Sequence, residues 1–450
     1  MPHTPSIEEF GRQLRAGQTT SERVTEACLA RIEAEAGLNA FILVTAEAAL
    51  HQAREADREL AAGRDRGPLH GVPISVKDLV DIAGTPTTAA SRVRDGHVAT
   101  HDAPVITRLR AAGAVFIGKT NLHEFAFGTT NEESAFGAAL NPHDTSRSPG
   151  GSSGGSAISV ATGMALASIG TDTGGSIRIP SAACGIVGLK PGHGEVLTDG
   201  VVPLSRRLDH VGPLARTVAD AGRVYDVLVG ATGRHKHTAK PLGQLRLAVP
   251  RAYFCDMLDD DVRARFEEAL DTFRRGGAHI EDVALPHAHL TAATYLHIVL
   301  SDAAAYHGAT LERMPERYTP PVRIRLEMGR YILAEDYIRA LDTREVLRRE
   351  VEQALAGFDA LVLPALPIPA PQIGAALVNV GGAQEPVRNV MLRLTQAFNL
   401  TGHAAIALPS GRTPSGLPCS IQFVAADTHS LLATALACER AIGDAHDTRR

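Results

Sequence analysis

The sequence predicts an α/β fold, with a central sheet covered by helices on both faces and a helical insertion in the C-terminal half. Through the first half of the chain, short apolar runs rich in β-branched residues alternate with segments of helical periodicity. This pattern is typical of strands separated by helices. Beyond about residue 243 two long amphipathic segments replace the alternation. Hydrophobic residues make up 44% of the 450 residues, which is enough for a large core.

The elements of the first half follow from local pattern. Helical spacing of apolar residues, with a Thr-Ser cap before ERVTEACLARI, predicts helices over SIEEFGRQLRAGQTTSERVTEACLARIEAEA. A short β-branched run predicts a strand leading into a loop over VPISVKDLVDIAG. Next, a helix, a glycine stop and a strand are predicted over VITRLRAAGAVFIGKTN. The same alternation continues through LASIGTDT and GIVGLKP.

The second half follows the same rules. An amphipathic helix is predicted over DDDVRARFEEALDTFRRGGA, with an apolar stripe at Val262, Phe266, Ala269, Leu270 and Phe273. Another helix is predicted over AEDYIRALDTREVLRREVEQALAGF, and strands over DALVLPAL, HAAIALPSG and CSIQFVAA. A last helix is predicted over THSLLATALACERAIG. We expect a single domain over 1–450, with a core over 60–220 and a helical, substrate-side insertion over 250–350.

Composition excludes several classes of function. The net charge of -5 gives no basic surface for nucleic acid, and no apolar run is long enough for a membrane span. The N-terminus lacks the layout of a secretory signal. The five cysteines are scattered and form no CxxC pair, and the histidines form no HExxH motif. We therefore expect a cytoplasmic protein without disulfides, metal or cofactor.

Lysine is rare in this chain. Only five of the 45 basic residues are lysines, a ratio that an arginine-rich codon usage explains. Arginine cannot replace lysine where chemistry needs an amine that loses its proton, because the guanidinium pKa stays above about 12. A lysine within an apolar run is therefore a candidate functional residue. Lys77 in GVPISVKD has such a flank, which would lower its pKa by desolvation.

Two short motifs match known patterns without the context that their mechanisms need. GAVFIGKT, from Gly113 to Thr120, fits the phosphate-loop pattern, but its intervening residues favour a buried strand. We therefore interpret Lys119 as a strand-end residue with a local hydrogen-bonding role. GSSGG fits a nucleophile elbow centred on Ser153, but a polar loop with two prolines precedes it where an elbow needs a buried strand.

The glycine-rich segments are more informative as a set. GGSSGGS runs directly into the apolar AISVATGMALASIG, so it is no flexible linker, and GTDTGGSIRIP follows about two dozen residues later. Two serines in separate glycine loops, with one lysine in an apolar strand, are a plausible nucleophile, relay and base. A serine hydroxyl needs a base to take its proton, and a neutral lysine can serve.

These residues resemble the amidase signature family of serine hydrolases. The match runs from about Gly67 to Thr217 and includes GPLHGVPISVKD, GAVFIGKTNLHEFAFG, PGGSSGGSAISVATGMALASIGTDTGGSIRIPSAACGIVGLKP and DHVGPLARTVAD. The resemblance implies the family's fold, a mixed central sheet with helices on both faces. It also implies hydrolysis of carboxamides through a serine acyl-enzyme, without metal or cofactor.

The resemblance assigns roles to individual residues. Ser176 would be the nucleophile, Ser152 the bridging serine after a cis peptide bond from Gly151, and Lys77 the base. An oxyanion hole would be formed by the backbone N–H groups of Thr173, Gly174, Gly175 and Ser176. An acyl pocket would be lined by Phe125, Ala126, Phe127, Gly128 and Thr129.

The sequence leaves two functions open within this family. The main expectation is a stand-alone amidase acting on a small amide, with ester or carbamate cleavage also open. The alternative is an amidotransferase A-type subunit that releases ammonia from glutamine for a partner subunit. PSGRTPSGLPCSIQF contains no acidic residue to hold a glutamine amino group, which favours the first. We expect no nucleic acid or membrane partner. The sequence leaves open whether the chain forms a homodimer.

Overall fold

The computed structural model describes residues 4–231 and 237–447. The strands are β1 (Phe41–Val44), β2 (Pro73–Lys77), β3 (Val115–Thr120), β4 (Ala167–Asp172), β5 (Val187–Lys190), β6 (His210–Ala215), β7 (Arg246–Val249), β8 (His279–Asp282), β9 (Ala360–Pro364), β10 (Leu377–Val380), β11 (Ala383–Pro386), β12 (Ala404–Arg412) and β13 (Pro418–Ala425). Within the described ranges, eleven of them form one sheet in the order β1-β3-β2-β4-β6-β5-β12-β13-β9-β7-β8. The other two, β10 and β11, form a separate hairpin.

The helices cover this sheet. They are α1 (Ile7–Arg15), α2 (Ser21–Ala34), α3 (Ala46–Ala61), α4 (Pro104–Ala111), α5 (Gly154–Ala161), α6 (Arg178–Cys184), α7 (Val218–Leu228), α8 (Arg251–Phe254), α9 (Asp260–Arg275), α10 (Thr291–Arg313), α11 (Pro320–Gly329), α12 (Ala334–Leu355), α13 (Val387–Leu392), α14 (Gln396–Leu400) and α15 (Thr428–Asp447). Over residues 4–231 and 237–447, no helix has the length and apolarity of a membrane span.

The sheet is mixed, as predicted. Strand β2 runs parallel to both of its neighbours, β3 and β4, whereas β4 pairs antiparallel with β6. The late strands β12 and β13 are antiparallel to each other, and β7 is parallel to β8 and β9. Since parallel strands end at the same edge of a sheet, the loops after β2 and β4 meet there. That edge carries Lys77 and the segment after Asp172.

Several helices begin and pack as their sequences predict. The Ser6 and Thr20 hydroxyls accept hydrogen bonds from the third backbone N–H beyond them, so each caps a helix. Helix α9 buries the predicted stripe, namely Val262, Phe266, Ala269, Leu270 and Phe273. Its Phe273 ring lies 6.0 Å from that of Phe423 on β13. Amphipathic periodicity therefore identified which face of this helix is buried.

The range of 250–350, predicted as a helical insertion, contains a strand as well as helices. Strand β8 lies within that range but pairs with β7 at the end of the main sheet, and α9 packs on the sheet. The continuous helical part is α10 to α12, from Thr291 to Leu355. Its apolar side chains share a second core with the loops at the carboxyl edge of β2, including Tyr295, Ile298, Phe125 and Ile179. The segment therefore covers the edge where the predicted catalytic residues lie.

Replacing Phe273 with alanine tests how α9 is held on the sheet. The ring is fully buried, so its removal leaves a cavity, and we expect the free energy of unfolding to fall by about 3–5 kcal/mol. The midpoint of urea unfolding measures this change. The neighbouring Arg274→Ala is the control, because Arg274 forms only an exposed ion pair with Asp271. Equal midpoints for the two variants would contradict the packing described here.

Candidate active site

Lys77 is the last residue of β2 and is completely buried. Its Nζ lies 2.8 Å from Ser152 Oγ and 2.8 Å from Thr171 Oγ1. Among the described residues no carboxylate forms a salt bridge with it. The strand therefore delivers an amine to two hydroxyl groups in an interior that offers its positive charge no direct counter-ion.

This environment changes the proton affinity of Lys77. Burial is the largest influence and lowers the pKa of Lys77 to about 7, while the negative charges of Asp172 and Asp209 act in the opposite direction. Burial raises the pKa of Asp209 to about 6, against hydrogen bonds from Thr173 and from the backbone of Ser205 and Leu204. At neutral pH a large fraction of Lys77 is therefore unprotonated and able to accept a proton.

The other two buried lysines have different surroundings. Lys119 Nζ lies 2.8 Å from Asp78 Oδ1 and donates to Pro86 O and Thr87 Oγ1, both at 3.1 Å. Because Lys119 belongs to a buried strand and its amine is occupied, GAVFIGKT is not a phosphate loop. Lys190 Nζ donates to the backbone oxygens of His403 at 2.6 Å and Pro191 at 3.1 Å.

Ser152 lies in the first glycine loop, after a cis peptide bond from Gly151. Its side chain and that of Lys77 are both fully buried. The next residue, Ser153, donates its backbone N–H to Ser176 O at 3.2 Å and its hydroxyl to Thr171 O at 3.2 Å. Ser153 therefore joins the two glycine loops and is not the centre of a nucleophile elbow.

Ser176 follows β4 in the second glycine loop. It is 6% exposed, whereas Lys77 and Ser152 have no exposed surface. In the described part of the chain its hydroxyl makes no hydrogen bond with Ser152, so the contact between the loops is the backbone bond from Ser153. Solvent or substrate can thus reach Ser176, whereas Ser152 and Lys77 are enclosed.

The four residues from Thr173 to Ser176 turn their backbone through the same loop. Within the described residues, none of their N–H groups has a hydrogen-bond acceptor. Gly175 has a φ of +141°, and a Cβ there would lie 2.2 Å from Thr395 Oγ1, so only glycine fits. Successive free N–H groups in one turn can bind an anion or a developing oxyanion.

A buried ion pair fixes the base of this loop. Arg178 donates to both oxygens of Asp172, at 3.0 Å each. Its other hydrogen bonds go to Asn399 Oδ1, Gln422 Oε1 and Thr395 O. Burial would raise the pKa of Asp172, but the charge and hydrogen bonds of Arg178 hold it well below its usual range. Both charges are compensated, so the pair can orient the loop without leaving a buried charge unpaired.

Two hydroxyl groups hold the loop from its sides. Thr395 donates to Gly174 O at 2.6 Å, and Thr173 donates to Asp209 Oδ1 at 2.6 Å. Thr171 and Thr395 were not predicted as site residues. Thr171 lies within the quoted GTDTGGS motif, but Thr395 comes from a segment more than 200 residues away, so only the fold could reveal its contact.

The predicted acyl-pocket segment is buried beside this site. Phe125 packs edge-to-face on His307, with ring centroids 4.4 Å apart, and Phe127 O accepts a hydrogen bond from Arg325 at 2.6 Å. A Cβ on Gly128 would lie 2.0 Å from His123 Nε2, so this segment also encloses His123. Whether the residues from Phe125 to Thr129 contact an acyl group remains a prediction.

A cavity of about 320 Å³ adjoins the second glycine loop. Its lining includes Tyr295, Glu385, Arg388, Leu392 and Gln396. A Cβ on Gly174 would lie 2.5 Å from the Tyr295 hydroxyl and 3.0 Å from Leu392 Cδ2, so the cavity wall touches the loop. Sequence reasoning missed these residues, because they come from α10, β11, α13 and α14 and share no local motif.

Comparisons with known proteins agree with this architecture. The family model described as Amidase matches residues 23–430. One curated relative is the A subunit of glutamyl-tRNA(Gln) amidotransferase from Anaeromyxobacter sp. (strain K). It is 39% identical to this chain, over 97% of this chain and 96% of its own length.

Two solved structures show the same fold. A crystal structure of an amidase superimposes with a TM-score of 0.92 and 38% identity, covering 97% of this chain and 99% of that one. The A subunit of glutamyl-tRNA(Gln) amidotransferase from Thermotoga maritima superimposes with a TM-score of 0.77 and 30% identity, covering 93% and 91%.

The state of Lys77 predicts how activity depends on pH. The predicted role of Lys77 as the base requires an unprotonated amine, so we expect kcat/KM to rise as pH increases through about 7 and then to level off. A neutral amide with a leaving group that does not titrate in this range is the substrate for the measurement. Burial keeps the pKa of His123 well below the range, so His123 does not contribute. A flat profile, or one that falls as pH rises, would contradict the role of Lys77.

Proposed function

The chain belongs to the amidase family, and on that premise we propose that it hydrolyses a carboxamide through an acyl-enzyme on Ser176. The observation that carries the proposal is the buried contact of 2.8 Å between Lys77 Nζ and Ser152 Oγ. The residue after Ser152, Ser153, donates its backbone N–H to Ser176 O and so joins this pair to the loop that carries Ser176. A neutral lysine, an enclosed serine and an accessible serine are the base, relay and nucleophile that acyl transfer requires.

Acylation follows from these positions. Lys77 takes the proton of Ser152, which takes that of Ser176, and Ser176 Oγ attacks the amide carbonyl carbon. The oxyanion that forms is bound by the free N–H groups from Thr173 to Ser176. As the C–N bond breaks, the proton returns from Lys77 through Ser152 to the nitrogen of the leaving amine. The hydrogen bond between Ser152 and Ser176 that this relay needs forms as the substrate binds.

Deacylation uses the same groups in reverse. A water molecule takes the position of the amine and attacks the acyl carbon, losing its proton through Ser152 to Lys77. The bond to Ser176 Oγ then breaks, and the proton returns to that oxygen. The products are a carboxylic acid and an amine or ammonia. Esters and carbamates would react by the same steps, since the leaving group changes only the atom that receives the proton.

A second candidate function is that of an amidotransferase A-type subunit, which would take glutamine as its substrate and pass ammonia to a partner subunit. The curated relative favours it by name, at 39% identity over almost both whole chains. An observation in the structure also favours it. The segment PSGRTPSGLPCSIQF lacks an acid, but Glu385 lines the cavity beside the oxyanion loop and could hold an amino group. The curated relatives of this chain carry the amidotransferase name, so the comparisons favour this candidate over the stand-alone enzyme, although a solved amidase superimposes with the higher TM-score, 0.92 against 0.77.

Labelling with a serine-directed phosphonate tests the assignment of the nucleophile. We expect the added mass on the peptide that contains Ser176, and none in Ser176→Ala. Lys77→Ala should slow both labelling and amide hydrolysis by about 10²–10⁴-fold, because the base is lost. Ser153→Ala is the matched control and should keep most of the activity, since alanine retains the backbone bond to Ser176 O and loses only the hydroxyl bond to Thr171 O. Label on Ser153 or Ser152 would overturn the assignment.

Assay of the purified single chain separates the two candidate functions. A stand-alone amidase should release amine from simple aryl and alkyl amides without any other protein. An amidotransferase subunit should hydrolyse glutamine weakly alone and faster with its partner subunits. Turnover of several simple amides at comparable kcat/KM, with glutamine no better than the others, would exclude the second candidate. Activity confined to glutamine would exclude the first.

A further inference from the structure

Arg388 is a charged residue for which the proposed mechanism has no use. It belongs to α13 and lines the cavity beside the oxyanion loop. Its Nε is enclosed and has no hydrogen-bond partner. In the part of the chain that the structure describes, Arg388 forms neither a hydrogen bond nor a salt bridge. Arg388 is partly exposed, unlike the fully buried Arg178 with its several partners, so the ends of its guanidinium are accessible from the cavity while Nε is enclosed.

An unpaired guanidinium in this position is unfavourable by itself. Burial lowers the pKa of Arg388, but a guanidinium does not lose its proton in proteins, so the positive charge remains. A charge that is only partly hydrated is less favourable than one in full contact with water, unless an opposite charge or hydrogen bonds compensate it. The protein therefore leaves a site that an anion entering the cavity would complete.

The residues around Arg388 also favour binding of an anion. The Arg325 guanidinium is close enough to Arg388 for the two charges to interact, and Arg325 forms no salt bridge among the described residues. Burial raises the pKa of Tyr295, so its hydroxyl stays protonated and can donate. Glu385 shares the cavity but forms no ion pair with Arg388 within the described ranges.

A second arginine of the same cavity provides a contrast. Arg393 donates through Nη2 to Tyr253 O at 2.8 Å, and its guanidinium lies 3.9 Å from the centroid of the Tyr253 ring. Its donors and its charge are therefore already occupied by backbone and by a cation–π contact. Of these two cavity arginines, only Arg388 is available to a ligand.

We propose that Arg388 is a carboxylate-binding residue of the substrate site, so that the natural substrate is a small amide that also carries a carboxylate. The proposal rests on the proposed function, because it names the substrate class of the same site. The planar fork of a guanidinium matches the two oxygens of a carboxylate. Tyr295 and Leu392 connect the cavity to Gly174, so a short acyl chain would join the carboxylate at Arg388 to the carbonyl at Ser176.

Matched substrates test the proposal. Succinamate carries a carboxylate and butyramide is a neutral amide of the same chain length. We expect the wild-type kcat/KM to be higher for succinamate. Arg388→Met should lower kcat/KM for succinamate by about 10–100-fold, as expected for the loss of one charge-assisted hydrogen-bonded pair. The kcat/KM for butyramide should not change, because butyramide has no carboxylate. Arg388→Lys should restore part of the difference in kcat/KM between succinamate and butyramide. Arg393→Met is the matched control and should keep the full difference.

Binding of the product analogue succinate separates this proposal from the proposed function. Calorimetric titration needs no turnover, so it reports on Arg388 even if the chain hydrolyses no amide. We expect succinate to bind the wild type at least about 10-fold more tightly than Arg388→Met. Equal dissociation constants, or an equal loss of kcat/KM for succinamate and butyramide in Arg388→Met, would overturn the proposal. A failure of the labelling of Ser176 would instead overturn the mechanism.

Discussion

The burial of one amine determines most of what this structure can do. Lys77 ends a strand between two parallel neighbours, and its Nζ contacts only hydroxyl groups at hydrogen-bond distance. Water is excluded, so the charged form is disfavoured and the pKa falls to about 7. The amidase family chemistry proposed here needs this neutral amine, because neither serine is a nucleophile without a base. The parallel arrangement of β2 and β4 matters because it brings the base and the second glycine loop to one edge.

The nucleophile loop depends on a different balance of charge. Arg178 and Asp172 are both fully buried, and each finds several partners, so the loop between them is held without a net unpaired charge. Lys77 lies close enough to Asp172 to be influenced by its charge, and neither Lys77 nor Arg388 forms a salt bridge among the described residues. The site thus combines three kinds of charged group. The Arg178–Asp172 ion pair is compensated and orients the loop, the Lys77 amine has no salt bridge and can lose its proton, and the Arg388 guanidinium keeps its proton and therefore its charge. The proposed preference for a substrate with a carboxylate rests on the last of these.

Sequence reasoning succeeded where the signal was local. The stripe of α9 and the flank of Lys77 are patterns within about a dozen residues, and the two glycine loops follow each other closely. It missed contacts between distant segments, such as those of Tyr295, Leu392 and Thr395 with the second glycine loop, because no periodicity links them. Strand β8 was also missed, since His279–Asp282 is a polar edge strand whose residues show no apolar alternation.

Titration of the lysine side chains by NMR tests the central claim most directly. The chain has only five lysines, so ¹³C-labelled lysine gives few signals, and Lys77→Met assigns the one of interest. We predict that the Cε signal of Lys77 titrates with a midpoint near pH 7. A midpoint at or above the ordinary lysine value of about 10.4 would contradict the account, because the amine would then be charged at neutral pH and could not act as the base.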